Sequence, residues 1–164
     1  MQRSREEGNN PLPSLAASLH RFLARPEISL RLTGSVLAAL SGTPLVLAVF
    51  LQPAAQGHGT HEQLGMPACG WAVFFGKPCA TCGMTTAFAH AVRLDLGQAA
   101  LVQPFGLLLA ILCGVLFWVG AHSAATGSVA ANVVGRGLAR PWVLWGMAGL
   151  AGLAWAYKWL TWAS

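Results

Sequence analysis

Three long apolar segments dominate the pattern of hydrophobic and polar positions along the chain. They cover residues 32–51, 99–122 and 142–162, and the one charged side chain among them is Lys158, near the end of the third. About 20 helical residues are needed to cross the hydrocarbon core of a bilayer, and backbone polar groups in lipid must be bonded within their own segment. The pattern therefore predicts an all-α, polytopic membrane protein with about three transmembrane helices. Lys158 is expected to extend its ammonium to the membrane surface.

The polar segments divide the rest of the chain. Residues 1–31 are predicted to be a tail in which a short amphipathic helix ending at Pro26 lies on the membrane, with a poorly ordered leader as the alternative. Residues 32–164 are predicted to form a single membrane domain with a polar loop at 52–98, because a chain of 164 residues leaves room for one domain. The first apolar segment is longer than a signal-peptide core, so we expect an uncleaved anchor.

Composition and charge agree with a lipid-facing exterior. Hydrophobic residues make up 55% of the chain and charged residues 9%, whereas soluble domains carry roughly 25% charged residues. The net charge of +5 comes from basic residues beside the apolar segments, which indicates the lipid bilayer and not nucleic acid as a partner. Seven of the ten basic residues lie in 1–31 and 123–141. The positive-inside rule therefore predicts a cytoplasmic N-terminus and a 52–98 loop outside the cell.

The third apolar segment carries small residues at helical spacing, including Gly149 and Gly152, and aromatic residues at both ends. Small residues allow helix backbones to approach closely in a membrane. This face is predicted to serve either packing within the chain or association with a second copy or another membrane protein. The terminal Trp and Tyr residues are interpreted as interfacial belts.

The most informative polar stretch contains three cysteines. Cys69 stands ten positions before Cys79, which forms a C-x-x-C pair with Cys82, and apolar positions at helical spacing follow. A short interfacial helix is predicted there, with Thr81 as N-cap and Gly97 as its stop. A cysteine at a helix N-terminus has a lowered pKa and raised reactivity.

Several chemistries remain open for this cluster. In an oxidising compartment, Cys79 could form a disulfide with Cys82, or either could pair with Cys69. The same thiols could be redox-active. They could also bind a soft metal with His90 as a fourth ligand, or with His58 or His61, although a single C-x-x-C is a weak metal signal. Cys113, in the second apolar segment, is interpreted as an apolar packing residue.

The run from Gly76 to Ala87 resembles the signature of an uncharacterised family of small bacterial membrane proteins, a domain of unknown function. That signature is approximately C-P-x-C-G-[ML]-[TS]-R-A, and here it is Cys79-Ala80-Thr81-Cys82-Gly83-Met84-Thr85-Thr86-Ala87. The resemblance covers about residues 66–112 and includes a cysteine at the position of Cys69. It implies a multi-pass protein of the bacterial cytoplasmic membrane with a cysteine loop, and no known activity.

Three positions depart from the family pattern. Its proline is Ala80 here, its arginine is Thr86, and its Asn-Pro is Gln103-Pro104. Any function that depends on the arginine is therefore in doubt for this chain.

The leading functional hypothesis is a non-enzymatic membrane protein whose outer loop is stapled by a disulfide. It depends on the lack of a recognisable acid–base set, so no catalytic residue and no cofactor are predicted. The first alternative is a membrane thiol–disulfide oxidoreductase that uses Cys79 and Cys82 and passes electrons to a quinone or a partner. The second is soft-metal binding at the cysteine loop. The sequence does not decide whether the protein is an enzyme.

Overall fold

The computed structural model describes residues 26–162, and the predicted amphipathic helix before Pro26 lies outside them. Over this range the chain is all-α, as predicted, with seven α-helices, one 3₁₀ helix and no strand. The α-helices are α1 (Pro26–Phe50), α2 (Gly70–Phe75), α3 (Met84–Ala91), α4 (Leu96–Val102), α5 (Pro104–Thr126), α6 (Ala130–Leu138) and α7 (Pro141–Leu160), and the 3₁₀ helix is Thr60–Leu64.

The first helix begins six residues earlier than the predicted span. Pro26 is the first described residue of α1. Proline suits the first turn of a helix, because its missing N–H would have no partner there and its φ is already helical. The helix therefore includes the last residues of the predicted tail.

The second span was predicted to begin at residue 99, and that boundary is wrong. Gln103 is extended, with φ −159° and ψ 98°, and it separates α4 from α5. The cause is Pro104, whose ring disfavours helical backbone in the residue before it. Pro104 then opens α5, which runs to Thr126.

Two helices, α1 and α5, are long and apolar enough to cross a membrane, not the three predicted. Helix α7 forms where the third span was predicted and is long enough to cross a membrane. Its mean hydropathy is too low, because it contains Gly, Trp, Tyr and Lys among its aliphatic residues. Judged by length and composition alone, two such helices support membrane association only weakly, since signal sequences and buried core helices share these properties. Of the 18 most apolar consecutive residues in α1 and in α5, only 22% and 17% are buried.

Helices α1 and α5 pack closely through glycine. A Cβ atom added to Gly34 would lie 2.5 Å from the Ala124 backbone nitrogen, and one on Gly120 would lie 2.6 Å from that of Ala38. Around Gly149 and Gly152 of α7 an added Cβ would meet nothing within 4 Å. The predicted small-residue face is therefore open in the described part of the chain, and the close helix contact lies elsewhere.

The short helix α3 packs against the C-terminal end of α1 and the N-terminal half of α5. Ala48 of α1, Phe88 of α3 and Ala110 of α5 form a buried apolar cluster, and Cys113 packs beside it. Arg93 follows α3, and its guanidinium donates to the carbonyl oxygens of Ala48, Val49 and Ala89 at 3.4, 3.3 and 2.7 Å. A cation at these C-terminal carbonyls satisfies groups that the helices leave unpaired.

Helix α7 is tied to the cysteine loop by polar side chains. The Lys158 Nζ donates to the carbonyl oxygens of Gly57 at 3.3 Å and Val102 at 3.0 Å. Lys158 is only 7% exposed, so the prediction that it extends to the membrane surface is wrong. The ammonium is held inside the fold instead, because it donates hydrogen bonds to these two carbonyl oxygens.

Two aromatic residues predicted only as interfacial anchors also bond to this region. Trp155 Nε1 donates to the Pro78 carbonyl at 3.1 Å, and the Tyr157 hydroxyl donates to the Leu101 carbonyl at 3.0 Å. By contrast, Trp142 and Trp145 at the other end of α7 are exposed. The C-terminal half of α7 is therefore part of the support of the cysteine loop.

Candidate functional site: three thiols between two cavities

The C-x-x-C segment forms a tight turn just before α3. The Cys82 N–H donates to the Cys79 carbonyl at 3.1 Å, and the Met84 N–H donates to the Thr81 carbonyl at 3.1 Å. Gly83, with φ +84°, is the N-cap residue of α3. The pair therefore precedes a helix, as predicted.

The predicted ends of that helix are wrong. Thr81 is not the N-cap, and its hydroxyl lies 3.5 Å from the Cys79 sulfur instead. The helix stops at Ala91, well before Gly97, because Leu94 adopts φ +62° and Asp95 caps the next helix by accepting from the Gln98 N–H.

Gly83 occupies a position that no larger residue fits without a shift. An added Cβ would lie 2.8 Å from the Gly57 carbonyl oxygen and 3.3 Å from the Lys158 Nζ, and its positive φ is unfavourable for other residues. The glycine after the second cysteine therefore allows the 52–65 loop and α7 to close over the C-x-x-C turn.

The fold brings the three loop cysteines together. Cys69 is the N-cap residue of α2, and its side chain lies near that of Cys79, as does the side chain of Cys82. They are not bonded to one another as disulfides in the structure. Cys69 and Cys79 are half-buried, whereas Cys82 is 6% exposed.

The two cysteines of the pair differ electrostatically. Partial burial raises the pKa of Cys79, but hydrogen bonds from Thr81, Cys69 and Cys82 outweigh it and hold the pKa below its ordinary value. Burial, with the nearby Cys79 and Cys69, raises the pKa of Cys82 to about 11, although Lys158 acts in the opposite direction. The lower pKa favours the thiolate, which is the attacking species in exchange, at Cys79 over Cys82.

An apolar cavity of about 410 Å³ opens beside the thiols. One wall consists of Pro44, Leu47, Ala48 and Leu51, on the last turns of α1 and just beyond its end. Met84, Thr85, Thr86 and Phe88 of α3 form the opposite wall. The three cysteines and His61 also line it. A volume of this size lies within the range of small-molecule sites.

A second cavity of about 460 Å³ adjoins the cluster. Its walls include His58, Glu62 and part of α2. Cys69, Cys82 and His61 line both cavities, whereas Cys79 lines only the first of the two. Two of the three thiols are therefore shared between neighbouring cavities.

Thr86, where the sequence signature described above has an arginine, is fully buried. Its hydroxyl lies 2.8 Å from that of Thr60, which also accepts from the Ala54 N–H at 3.0 Å. The position therefore binds the 52–65 loop to α3. An arginine could not keep this contact, because its charge would be placed in a closed site.

His90 is not brought to the cysteines. Its Nδ1 lies 3.0 Å from an Asp95 carboxylate oxygen, beyond the far end of α3. From residue 26 to residue 162, no group of three or more His, Cys, Asp or Glu side chains is arranged to hold a metal ion. The metal hypothesis gains no support from this part of the chain.

Sequence reasoning missed Lys158, Trp155 and Gln103 as neighbours of the site. Gln103 is 1% exposed, and its Nε2 donates to the Ala80 carbonyl at 3.4 Å, while its Oε1 has no partner. The charge of Lys158 within an apolar segment was the available signal.

Comparison with known proteins gives one match. Residues 67–117 match a sequence family described as "Protein of unknown function (DUF2752)". The matched segment contains all three loop cysteines and ends within α5. It supports an uncharacterised domain family, in line with the resemblance noted from the sequence. No curated protein and no solved structure matches the chain.

Proposed function

We propose that this chain is a multi-pass protein of the bacterial cytoplasmic membrane whose outer loop carries a thiol–disulfide exchange site. The observation that carries this proposal is the convergence of Cys69, Cys79 and Cys82 beside the apolar cavity, with Cys69 and Cys82 also lining the second cavity. Structural cysteines need only pair with each other, whereas exchange requires that a partner can reach a reactive thiol.

The membrane location is supported by the exposed apolar surface. Leu40 of α1 is 71% exposed and Trp118 of α5 is 72% exposed, and large apolar side chains in such numbers are stable in contact with lipid. We propose α7 as the third span, since it follows α5 in the opposite direction and its C-terminal half supports the outer loop. The excess of basic residues in 1–31 and 123–141 supports a cytoplasmic N-terminus.

The exchange reaction assigns different roles to the cysteines. The Cys79 thiolate attacks one sulfur of a substrate disulfide, forms a mixed disulfide and releases the other sulfur as a thiolate. Cys82 then loses its proton and attacks the Cys79 sulfur, which forms the Cys79–Cys82 disulfide and releases the second substrate thiol. Two electrons pass from the pair to the substrate, and the reverse sequence oxidises a substrate dithiol.

The competing function is the non-enzymatic staple. A disulfide within the same cluster would hold the loop that Trp155 and Lys158 already bind to α7. The two functions differ in redox potential, because structural disulfides have potentials below about −300 mV, whereas exchanging ones lie higher.

A redox titration of the purified, full-length protein tests the proposal. We expect a Cys79–Cys82 potential above about −300 mV. In Cys82→Ser, a mixed disulfide with a small thiol should accumulate at Cys79, because the resolving thiol is gone. Cys113→Ser is the matched control and should resolve the mixed disulfide normally. A lower potential together with no trapped species would favour the staple.

A further inference from the structure

We propose that the apolar cavity between α1 and α3 binds a lipid-soluble quinone, which takes electrons from the cysteine cluster. This inference rests on the proposed exchange function and names the acceptor that would regenerate its disulfide. The exchange site requires such an acceptor if it repeatedly oxidises substrate thiols, since each cycle leaves the pair reduced.

The position of the cavity favours a ligand that arrives through the bilayer. Its wall on the α1 side belongs to the last turns of a helix able to span the membrane. Leu47, in that wall, is 45% exposed, so the wall borders the surface that lipid would cover. A water-soluble ligand would have to give up its hydration to enter, whereas an isoprenoid quinone is already in an apolar phase.

The chemistry of the lining fits a quinone ring better than an acyl chain alone. Most of the wall is aliphatic or aromatic, as in Leu51, Met84 and Phe88, and its polar groups are the three thiols, His61 and the threonines of the C-x-x-C turn and α3. Binding sites for small molecules have this composition, in which a few polar groups orient an apolar ligand. The thiols and the imidazole can donate hydrogen bonds to quinone carbonyl oxygens, whereas an acyl chain offers no acceptor for them.

The second cavity gives substrate a separate approach. Cys82 and Cys69 line both cavities, whereas Cys79 lines the apolar one. A protein thiol could therefore approach Cys69 or Cys82 from the second cavity while a quinone meets Cys79 in the first. Electrons would pass between them through disulfide exchange among the three cysteines.

The transfer is balanced in atoms and electrons. The Cys79 and Cys82 thiols together lose two electrons and two protons and form one sulfur–sulfur bond. The quinone gains those two electrons and two protons, one proton on each carbonyl oxygen, and becomes the quinol. No further oxidant is required.

The test is anaerobic reduction of decylubiquinone by the pre-reduced, full-length protein in lipid nanodiscs. The loss of quinone absorbance measures the reduction. We expect stoichiometric formation of quinol in a single turnover, and none with Cys79→Ser. Leu47→Trp fills the cavity and should slow quinone reduction by about tenfold. Val46→Trp is the matched control, because Val46 is the preceding residue, is 58% exposed and does not line the cavity.

A second readout separates this inference from the function on which it rests. Exchange with a small water-soluble disulfide should proceed in the unaltered protein and should be unchanged in Val46→Trp. If exchange proceeds but decylubiquinone is not reduced, or if Leu47→Trp and Val46→Trp behave alike, the quinone site is wrong and the exchange function stands. Lipid that co-purifies with the protein and is lost in Leu47→Trp, without quinone reduction, would identify an acyl-chain site and also overturn the inference. If neither reaction occurs, the exchange function fails as well.

Discussion

Helices α1 and α7 are held to the rest of the molecule in different ways. Helix α1 lies against α5 over a long contact in which Gly34 and Gly120 bring the two backbones together. Helix α7 has few contacts with α5 and is held mainly by Trp155 and Lys158 at the cysteine end. Changes in α1 should therefore affect the whole fold, whereas changes in α7 should affect chiefly the cysteine loop.

The largest effect is expected at the glycine contact. Gly34→Leu should destabilise the protein by about 3 kcal/mol or prevent folding, because the added side chain would overlap the Ala124 backbone. Gly149→Leu in α7 is the control and should change stability little, because an added Cβ there meets open space. Thermal unfolding of both variants in the same detergent measures the difference. Equal loss of stability would show that α7 is packed as tightly as α1.

A smaller effect is expected where α7 meets the loop. Lys158→Met should cost about 2 kcal/mol, because the carbonyl groups of Gly57 and Val102 lose their buried donor. The loss should be local, and alkylation of Cys82 should become faster as the loop opens. Lys77→Met is the control, since Lys77 is exposed and its ammonium lies 5.4 Å from the Trp159 ring centre. Unchanged protection of Cys82 in Lys158→Met would contradict the proposed support.

The contact between Thr60 and Thr86 tests how firmly the 52–65 loop is held to α3. Thr86→Val should destabilise the loop by about 1 kcal/mol, because it leaves the Thr60 hydroxyl without its acceptor. The double variant Thr60→Val/Thr86→Val should lose less than the sum of the single changes, as expected for two residues in contact. Hydrogen exchange at the Ala54 amide, which donates to Thr60, reports the loop directly. Additive effects would show that the hydroxyl contact carries no coupling.

A change of pH should alter the structure least, but it should strongly alter the reactivity of the two thiols. Alkylation follows the thiolate fraction, so the midpoint for Cys79 should lie below that of an ordinary thiol, while the midpoint for Cys82 should lie near pH 11. In Cys79→Ser the midpoint of Cys82 should fall, because a neighbouring negative charge is removed. Site-resolved mass spectrometry over a pH series measures both. Coincident midpoints would remove the distinction between nucleophile and resolving cysteine.

Local rules predicted the helical segments and the place of the site. Apolar runs of about 20 residues gave helices at α1, α5 and α7, and the C-x-x-C pair does stand before a helix. The errors at boundaries have a common cause in backbone chemistry. Pro104 disfavours helical backbone at Gln103 and so interrupts the second apolar segment. Gly83, not Thr81, precedes α3, because only glycine fits beside the Gly57 carbonyl there.

What the sequence by itself determined is the all-α architecture, the apolar surface of the long helices and the presence of a C-x-x-C turn at a helix start. These follow from periodicity, composition and neighbouring residues. The tertiary structure alone decided that Cys69 joins Cys79 and Cys82, that Lys158 is buried against the loop, and that two neighbouring cavities adjoin the thiols. Those contacts join segments from 10 to more than 100 residues apart, and local patterns carry no information about which distant carbonyl or thiol a side chain will meet.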